Sequence, residues 1–306
     1  MLPNFLVIGA GRAGTTSLHH YLKAHPAVYL PAVKSPSHFY CTTETLGAGP
    51  APRVTQPYFV ADPQAYAALF SGVRGQTAVG EVSPAYLATL HAAPRIAARL
   101  PHARLVAIVR HPVDRAFARF VGRLRDGLET RTRFEDVVRD ERQRPIERDD
   151  AVGTYLPASW IGHFLASYFE RFPREQIRIH LFEDFQRDPL AVMQDIYAFL
   201  GVDPRVAPDV SRRHNQSGGM VRNPLVRKLW SRTGAIRAGL RAFVPASIRD
   251  QAFGIVTRDL VPVRLDPDLR ADLTALYRSD IERVSVLIGR DLSHWLQPPD
   301  AGGPRA

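Results

Sequence analysis

An α/β fold, with a central parallel sheet flanked by helices, is the class this sequence predicts. Three observations carry it. Short apolar runs alternate with longer stretches at helical spacing, the pattern of strands joined through helices into a parallel sheet covered on both faces. The first run leads straight into the glycine-rich turn Gly9-Ala10-Gly11-Arg12-Ala13-Gly14. Several helix starts carry a proline or Asp-Pro at the opening position, where a missing N–H costs nothing.

In chain order, Phe5-Leu6-Val7-Ile8 is a buried strand ending at Gly9, and Thr16 to Ala24 is a helix with Leu18, Tyr21 and Leu22 on one face. Val28-Tyr29-Leu30 is a strand stopped by Pro31. Residues 41–60, rich in Thr, Gly and Pro, read as a surface excursion. Asp62-Pro63 opens a short helix. Thr77-Ala78-Val79-Gly80 is a third strand, and Ala92 to Leu100 a helix. Arg104-Leu105-Val106-Ala107-Ile108-Val109 is the clearest strand, and Pro112 opens a helix through Asp126. Ile177 to Leu181 is a strand, Pro189 to Leu200 a helix, and 268–288 a long helix with an apolar stripe from Leu269 to Leu287. Residues 1–296 read as one domain and 297–306 as a frayed tail. Ligands of parallel sheets bind beyond the carboxyl ends of the strands, so residues 9–17, 81–86 and 110–118 are expected to converge on one cleft.

The formal net charge is +10, and all but three of the 40 basic residues are arginine, the exceptions being Lys23, Lys34 and Lys228. Such a field attracts anions: nucleotide, acidic glycan, anionic lipid or nucleic acid. Residues 211–249 are rich in Arg and free of Asp and Glu. Their basic, partly amphipathic character, from Arg222 to Arg249, suits an anionic acceptor or peripheral contact with a membrane surface. Few aromatics interleave them, which argues against nucleic acid. Cys41 is the only cysteine, so neither an intramolecular disulfide nor a cysteine-rich metal site is expected. No apolar stretch is long enough to span a bilayer and the first residues lack a basic n-region, so the cytoplasm is the expected location.

Three chemistries compete for the glycine loop. A kinase-type phosphate loop needs lysine directly after its last key glycine, where this chain has Thr15. A dinucleotide-binding oxidoreductase is met literally by Gly9-Ala10-Gly11-Arg12-Ala13-Gly14, but needs an acidic residue about 20 positions on. None stands between Tyr29 and Tyr40. The third places a basic residue, Arg12, inside the loop and follows it with Gly14-Thr15-Thr16-Ser17 at the helix start. Oxygens of a phosphate or sulfate suit that position.

This third pattern resembles the phosphosulfate loop of sulfotransferases that use 3′-phosphoadenosine 5′-phosphosulfate (PAPS). The resemblance continues in Gly80-Glu81-Val82-Ser83-Pro84-Ala85-Tyr86-Leu87, in Arg110-His111-Pro112-Val113-Asp114-Arg115-Ala116-Phe117, in Phe182-Glu183-Asp184-Phe185 with Phe199-Leu200-Gly201-Val202, and in His214-Asn215-Gln216-Ser217-Gly218-Gly219. It spans about residue 4 to Trp295 and is nearest to bacterial members related to the heparan-type glycan sulfotransferase domains. It implies the PAPS sulfotransferase fold, a P-loop-like central sheet, with PAPS as sulfuryl donor and no metal. It implies that Arg12 stabilises the leaving phosphate where relatives more often carry lysine. Ala13, Gly14, Thr15, Thr16 and Ser17 would hold the 5′-phosphosulfate, Arg110 the 3′-phosphate, and Gly218, Gly219 and Arg222 would cover the nucleotide.

Two positions depart from the pattern. Ala118 stands where a serine commonly contacts the 3′-phosphate, leaving Arg115 or Arg119 to compensate. Ser35 stands where glycan sulfotransferases carry the glutamate base. Glu81 and His38 are the substitute bases, with Lys34 placed to orient the sulfate. The acceptor is a small molecule or glycan with a hydroxyl or amine. A non-catalytic nucleotide- or polyanion-binding module on the same fold is the alternative, motivated by Arg12, Ser35 and Ala118.

Overall fold

The computed structural model describes residues 1–41, 58–143, 150–211, 220–221 and 260–297. Five parallel strands form the central sheet: β1 (Phe5–Gly9), β2 (Val28–Tyr29), β3 (Ala78–Val82), β4 (Arg104–Val109) and β5 (Ile177–Leu181), in the order β2-β3-β1-β4-β5. β1, β3 and nearly all of β4 are buried, as expected of near-continuous apolar strands covered on both faces. β1 lies at the centre, Leu6 pairing with Glu81 of β3 on one side and with Leu105 of β4 on the other. The chain therefore leaves β1 with β3 and β4 as immediate neighbours, and the loops after all three emerge side by side.

The helices are α1 (Thr15–Lys23), α2 (His38–Cys41), α3 (Pro63–Ala68), α4 (Ala92–Arg99), α5 (Pro112–Arg125), α6 (Phe134–Arg142), α7 (Ile161–Phe169), α8 (Phe182–Arg187), α9 (Pro189–Leu200) and α10 (Pro267–Ile288). Proline opens α3, α5, α9 and α10 as its fixed φ favours, with Asp62, Asp188 and Asp266 accepting first-turn N–H groups ahead of three of them. α10 packs on α7 and α5, and β6 (Met220–Val221) pairs antiparallel with β7 (Leu260–Val261) beside α5.

The sheet and the helices around it match the sequence-based expectation, with differences of physical interest. β3 runs on through Val82, so Glu81 lies within the strand and not in the loop after it. Four helices, α2, α6, α7 and α8, were not anticipated. The covering-loop residues Gly218, Gly219 and Arg222, the basic segment 222–249 and the tail beyond Gln297 lie outside the described residues. Among the described residues no helix is long and apolar enough to cross a membrane.

Candidate active site

The turn between β1 and α1 is built to present backbone donors. Gly14 occupies the N-cap of α1 with φ 80°, a left-handed conformation that favours glycine. A Cβ there would also stand 3.0 Å from the Phe185 ring. The capping glycine offers no side chain to the first-turn N–H groups, and no acidic residue follows in that turn. The donors of Thr15, Thr16 and Ser17 thus sit at the positive end of the helix, where an oxyanion is favoured. Thr15 and Ser17 are buried against the core and Ala13 is fully so, which holds the turn rigid.

Lys34 reaches this turn from the loop after β2. Its Nζ donates to Thr16 Oγ1 at 2.7 Å, which adds a cation at the start of α1. The following residues are clamped to the end of β3: Ser35 Oγ donates to the Val82 carbonyl at 3.0 Å, and the Ser37 N–H donates to Ser83 Oγ at 3.1 Å. Ser35 is thereby a fastening residue, and its hydroxyl is committed to backbone.

Arg110, at the end of β4, approaches the same turn from the other side. Its Nη1 donates to the Arg12 carbonyl at 3.3 Å, and its guanidinium lies 4.6 Å from the centre of the Phe182 ring. It forms no ion pair with any described residue. The carboxylates that bear on it are engaged elsewhere: Asp114 with Arg270 at 3.1 Å, and Glu183 with the Trp295 indole N–H at 2.7 Å. Burial pulls the Arg110 pKa below the usual arginine value, with those two carboxylates opposing. A held, desolvated guanidinium with no carboxylate on it among the described residues suits a bidentate phosphate. Ala118 is buried on α5, so the hydroxyl absent there is not replaced in place. Arg115, one of the two substitutes, donates Nη1 to Ser159 Oγ at 2.9 Å.

Arg12 itself has φ 71° and sends its side chain across to α5. The guanidinium lies directly over Gly122, where a Cβ would come within 2.3–2.5 Å of its atoms. Its nearest carboxylate, Asp126, is 4.0 Å away and is already held at 2.9 Å by Arg125. Burial lowers the Arg12 pKa and Asp126 partly offsets that. Neither Gly122 nor Asp126 was singled out from the sequence, although both stand on the α5 face that begins at Arg115 with helical spacing.

Glu81 and His38 belong to one buried aromatic cluster. Glu81 is 1% exposed, and its Oε1 accepts from the Tyr86 hydroxyl at 2.5 Å. Its Oε2 and the Tyr66 hydroxyl are buried together and bear on each other. Burial raises the Glu81 carboxyl to about 7, against the hydrogen bonds from Tyr86 and its neighbours. His38 stacks on Tyr66 with ring centres 4.3 Å apart, and its Nδ1 lies 2.9 Å from the Val60 carbonyl. Since a carbonyl only accepts, Nδ1 carries the proton.

The match of residues 3–206 to the model of the Sulfotransferase family covers two thirds of the chain. The chain belongs to the sulfotransferase family. Among solved structures, a sulfotransferase from Alicyclobacillus acidocaldarius is 32% identical, with a TM-score of 0.72 over 97% of this chain and 100% of that one. The mouse sulfotransferase SULT7A1 complexed with PAP is 14% identical at a TM-score of 0.50 over 93% of this chain and 86% of its own, a likeness of fold alone. Among curated relatives, the human bifunctional heparan sulfate N-deacetylase/N-sulfotransferase 2 is 25% identical over 213 residues, 66% of this chain and 22% of that protein. The mouse heparan sulfate glucosamine 3-O-sulfotransferase 3B1 is 24% identical over 226 residues, 71% of this chain and 50% of its own. The sulfotransferase described here therefore spans half or less of the length of these curated relatives. Its parallel sheet flanked by helices is the PAPS sulfotransferase fold. No group of His, Cys, Asp and Glu suited to a metal ion occurs among the described residues.

Proposed function

We propose that this sulfotransferase takes the sulfuryl group from PAPS and transfers it to a hydroxyl or amine of a small-molecule or glycan acceptor. One observation carries the reading: first-turn amides behind a glycine cap, Lys34 and an Arg110 without an ion pair among the described residues meet beyond the carboxyl ends of the strands. That donor set fits a nucleotide with anionic groups at both its 5′ and 3′ positions.

PAPS supplies an activated sulfur whose bond to the 5′-phosphate oxygen breaks as the acceptor's oxygen or nitrogen bonds to it. The residues of this chain do the rest. The amides of Gly14 to Ser17 hold the 5′ end, the Ala13 N–H being taken by the Ala10 carbonyl at 3.2 Å, and Arg110 grips the 3′-phosphate. Arg12 and Lys34 face the charge that builds on the leaving oxygen, the usual largest source of rate in such transfers. Arginine there stabilises charge without donating its proton near neutrality. The acceptor's proton passes to Glu81 or to His38, the two candidate bases, of which Glu81 titrates near neutral pH.

Two measurements test this. Adenosine 3′,5′-bisphosphate should raise the melting temperature by ligand linkage, and by more than AMP or NADH does at equal concentration. Equal shifts from all three remove the donor assignment. Labelled sulfate from PAPS should appear in an acceptor fraction of cell extract, whose mass then identifies the product.

A further inference from the structure

Arg110 is kept open by the groups that hold the acids around it. Its guanidinium rests on the Phe182 ring, and the next residue in the chain is Glu183. Glu183 and Asp114, four residues after Arg110, are the carboxylates whose charge reaches it. A desolvated arginine with a carboxylate in reach gains by closing on it. Neither carboxylate does so. Asp114 is bonded by Arg270 of α10 at 3.1 Å. Glu183 Oε1 accepts from the Trp295 indole N–H at 2.7 Å, and the exposed His294 imidazole lies 3.2 Å from the same oxygen.

Trp295 is built to hold that place. It lies in the single 3₁₀ turn Ser293–Leu296 beyond α10, and it is 5% exposed. Its backbone N–H donates to the Leu292 carbonyl at 2.9 Å. Its carbonyl accepts from Nε2 of His111, the residue after Arg110, at 2.9 Å, and the two rings meet at 61° with centres 5.7 Å apart. The turn is thus tied to the neighbour of Arg110 through its backbone and to the neighbour of Phe182 through its indole. A buried indole N–H has one bond to give, and here it goes to an acid beside the phosphate grip. The indole is neutral, so it restrains Glu183 without adding a charge to the site. Without that donor, Glu183 keeps only His294. Arg270 is taken by Asp114 and Arg290 by Asp184, which leaves Arg110 for it among the arginines described here.

We propose that Trp295 is a positioning residue of the donor site: by holding Glu183, it keeps Arg110 open for the 3′-phosphate. This rests on the reading of Arg110 given above. The test is calorimetric titration with adenosine 3′,5′-bisphosphate and with AMP, which lacks the 3′-phosphate. Trp295→Phe should weaken the bisphosphate by about tenfold or more and leave AMP within about twofold. Adding Glu183→Gln to that variant should return the bisphosphate to within about threefold of the unaltered protein, because the released side chain then carries no charge. A role in packing alone gives no such rescue. Where Trp295→Phe folds poorly, benzothienylalanine at position 295, with sulfur in place of the indole N–H, keeps the ring's shape and should show the same selective loss. An unchanged bisphosphate Kd, a loss shared equally by AMP, or a loss that persists in the double variant overturns the proposal. Equal binding of the two nucleotides by the unaltered protein overturns the reading of Arg110 itself, and the proposal with it.

Discussion

At the scale of single residues, Arg12 and Gly122 form one unit. A long guanidinium side chain lies where only a hydrogen on the facing helix leaves room. Within a helix, glycine to alanine ordinarily stabilises by about 0.5–1 kcal/mol. Gly122→Ala is expected to keep its folded stability while turnover falls about tenfold, because the guanidinium must leave its seat. Single-turnover kinetics with saturating donor reads this, and unchanged turnover would show that the seat is irrelevant to transfer. Arg12→Ala should lose about 10²–10³ in kcat, the usual cost of one donor to a developing oxyanion. Glu81 gives a prediction with a pH sign. Its carboxyl lies at about 7 in the folded protein against an ordinary 4.5. The folded state therefore holds this proton more tightly than the unfolded chain does. Its contribution is fully present below about 4.5 and is lost as pH climbs to about 7, a change of at most about 3 kcal/mol. Glu81→Gln should thus gain stability over the unaltered protein across that window and hold the gain above it, by urea melts at several pH values. A constant difference between the two proteins would mean that Glu81 is ionised throughout.

At the scale of elements, α7 and α10 are joined by one carboxylate. Asp280 of α10 is 2% exposed and accepts from the N–H groups of Gly162 and His163, at 2.9 and 2.8 Å, at the start of α7. α7 has no cap of its own. Asp280→Ala should cost about 1–3 kcal/mol, the range for buried donors left unpaired, measured by denaturant midpoint with an unchanged slope. α7 was also among the helices that sequence reasoning missed, and the reason is physical. Ile161, Phe164, Leu165 and Tyr168 are buried, and the segment is apolar enough that no polar face marks it as a helix. α8 starts directly after β5 without a turn between them, so no Gly or Pro signal separates strand from helix. β1 and β4 were legible because buried parallel strands are continuous apolar runs. At the site, Gly14, Thr16, Lys34 and Arg110 were legible because each follows a strand or opens a helix. The burial of Glu81 was not, because a strand's end cannot be read to the residue when the next side chain is charged.

At the scale of the molecule, two kinds of positive charge act on a donor at different stages. The net charge of +10 creates a field over the surface, whereas Arg110 is desolvated and touches backbone. Salt separates them. Raising it from 0.1 to 1 M shortens the screening length from about 10 to about 3 Å. Screening acts on the approach of an anion through solvent and much less on a contact already shielded from it. The association rate of adenosine 3′,5′-bisphosphate should therefore fall about tenfold or more over that range, while its dissociation rate changes less than about threefold. Arg110→Gln should reverse the pattern: dissociation accelerates strongly and the salt dependence of association stays nearly as it was, since one charge among many is removed from the field. Stopped-flow mixing with a fluorescent analogue of the nucleotide measures both rates. If salt instead accelerates dissociation as much as it slows association, the bound phosphate is solvent-exposed, and Arg110 holds it at the surface and not within the turn it shares with Arg12.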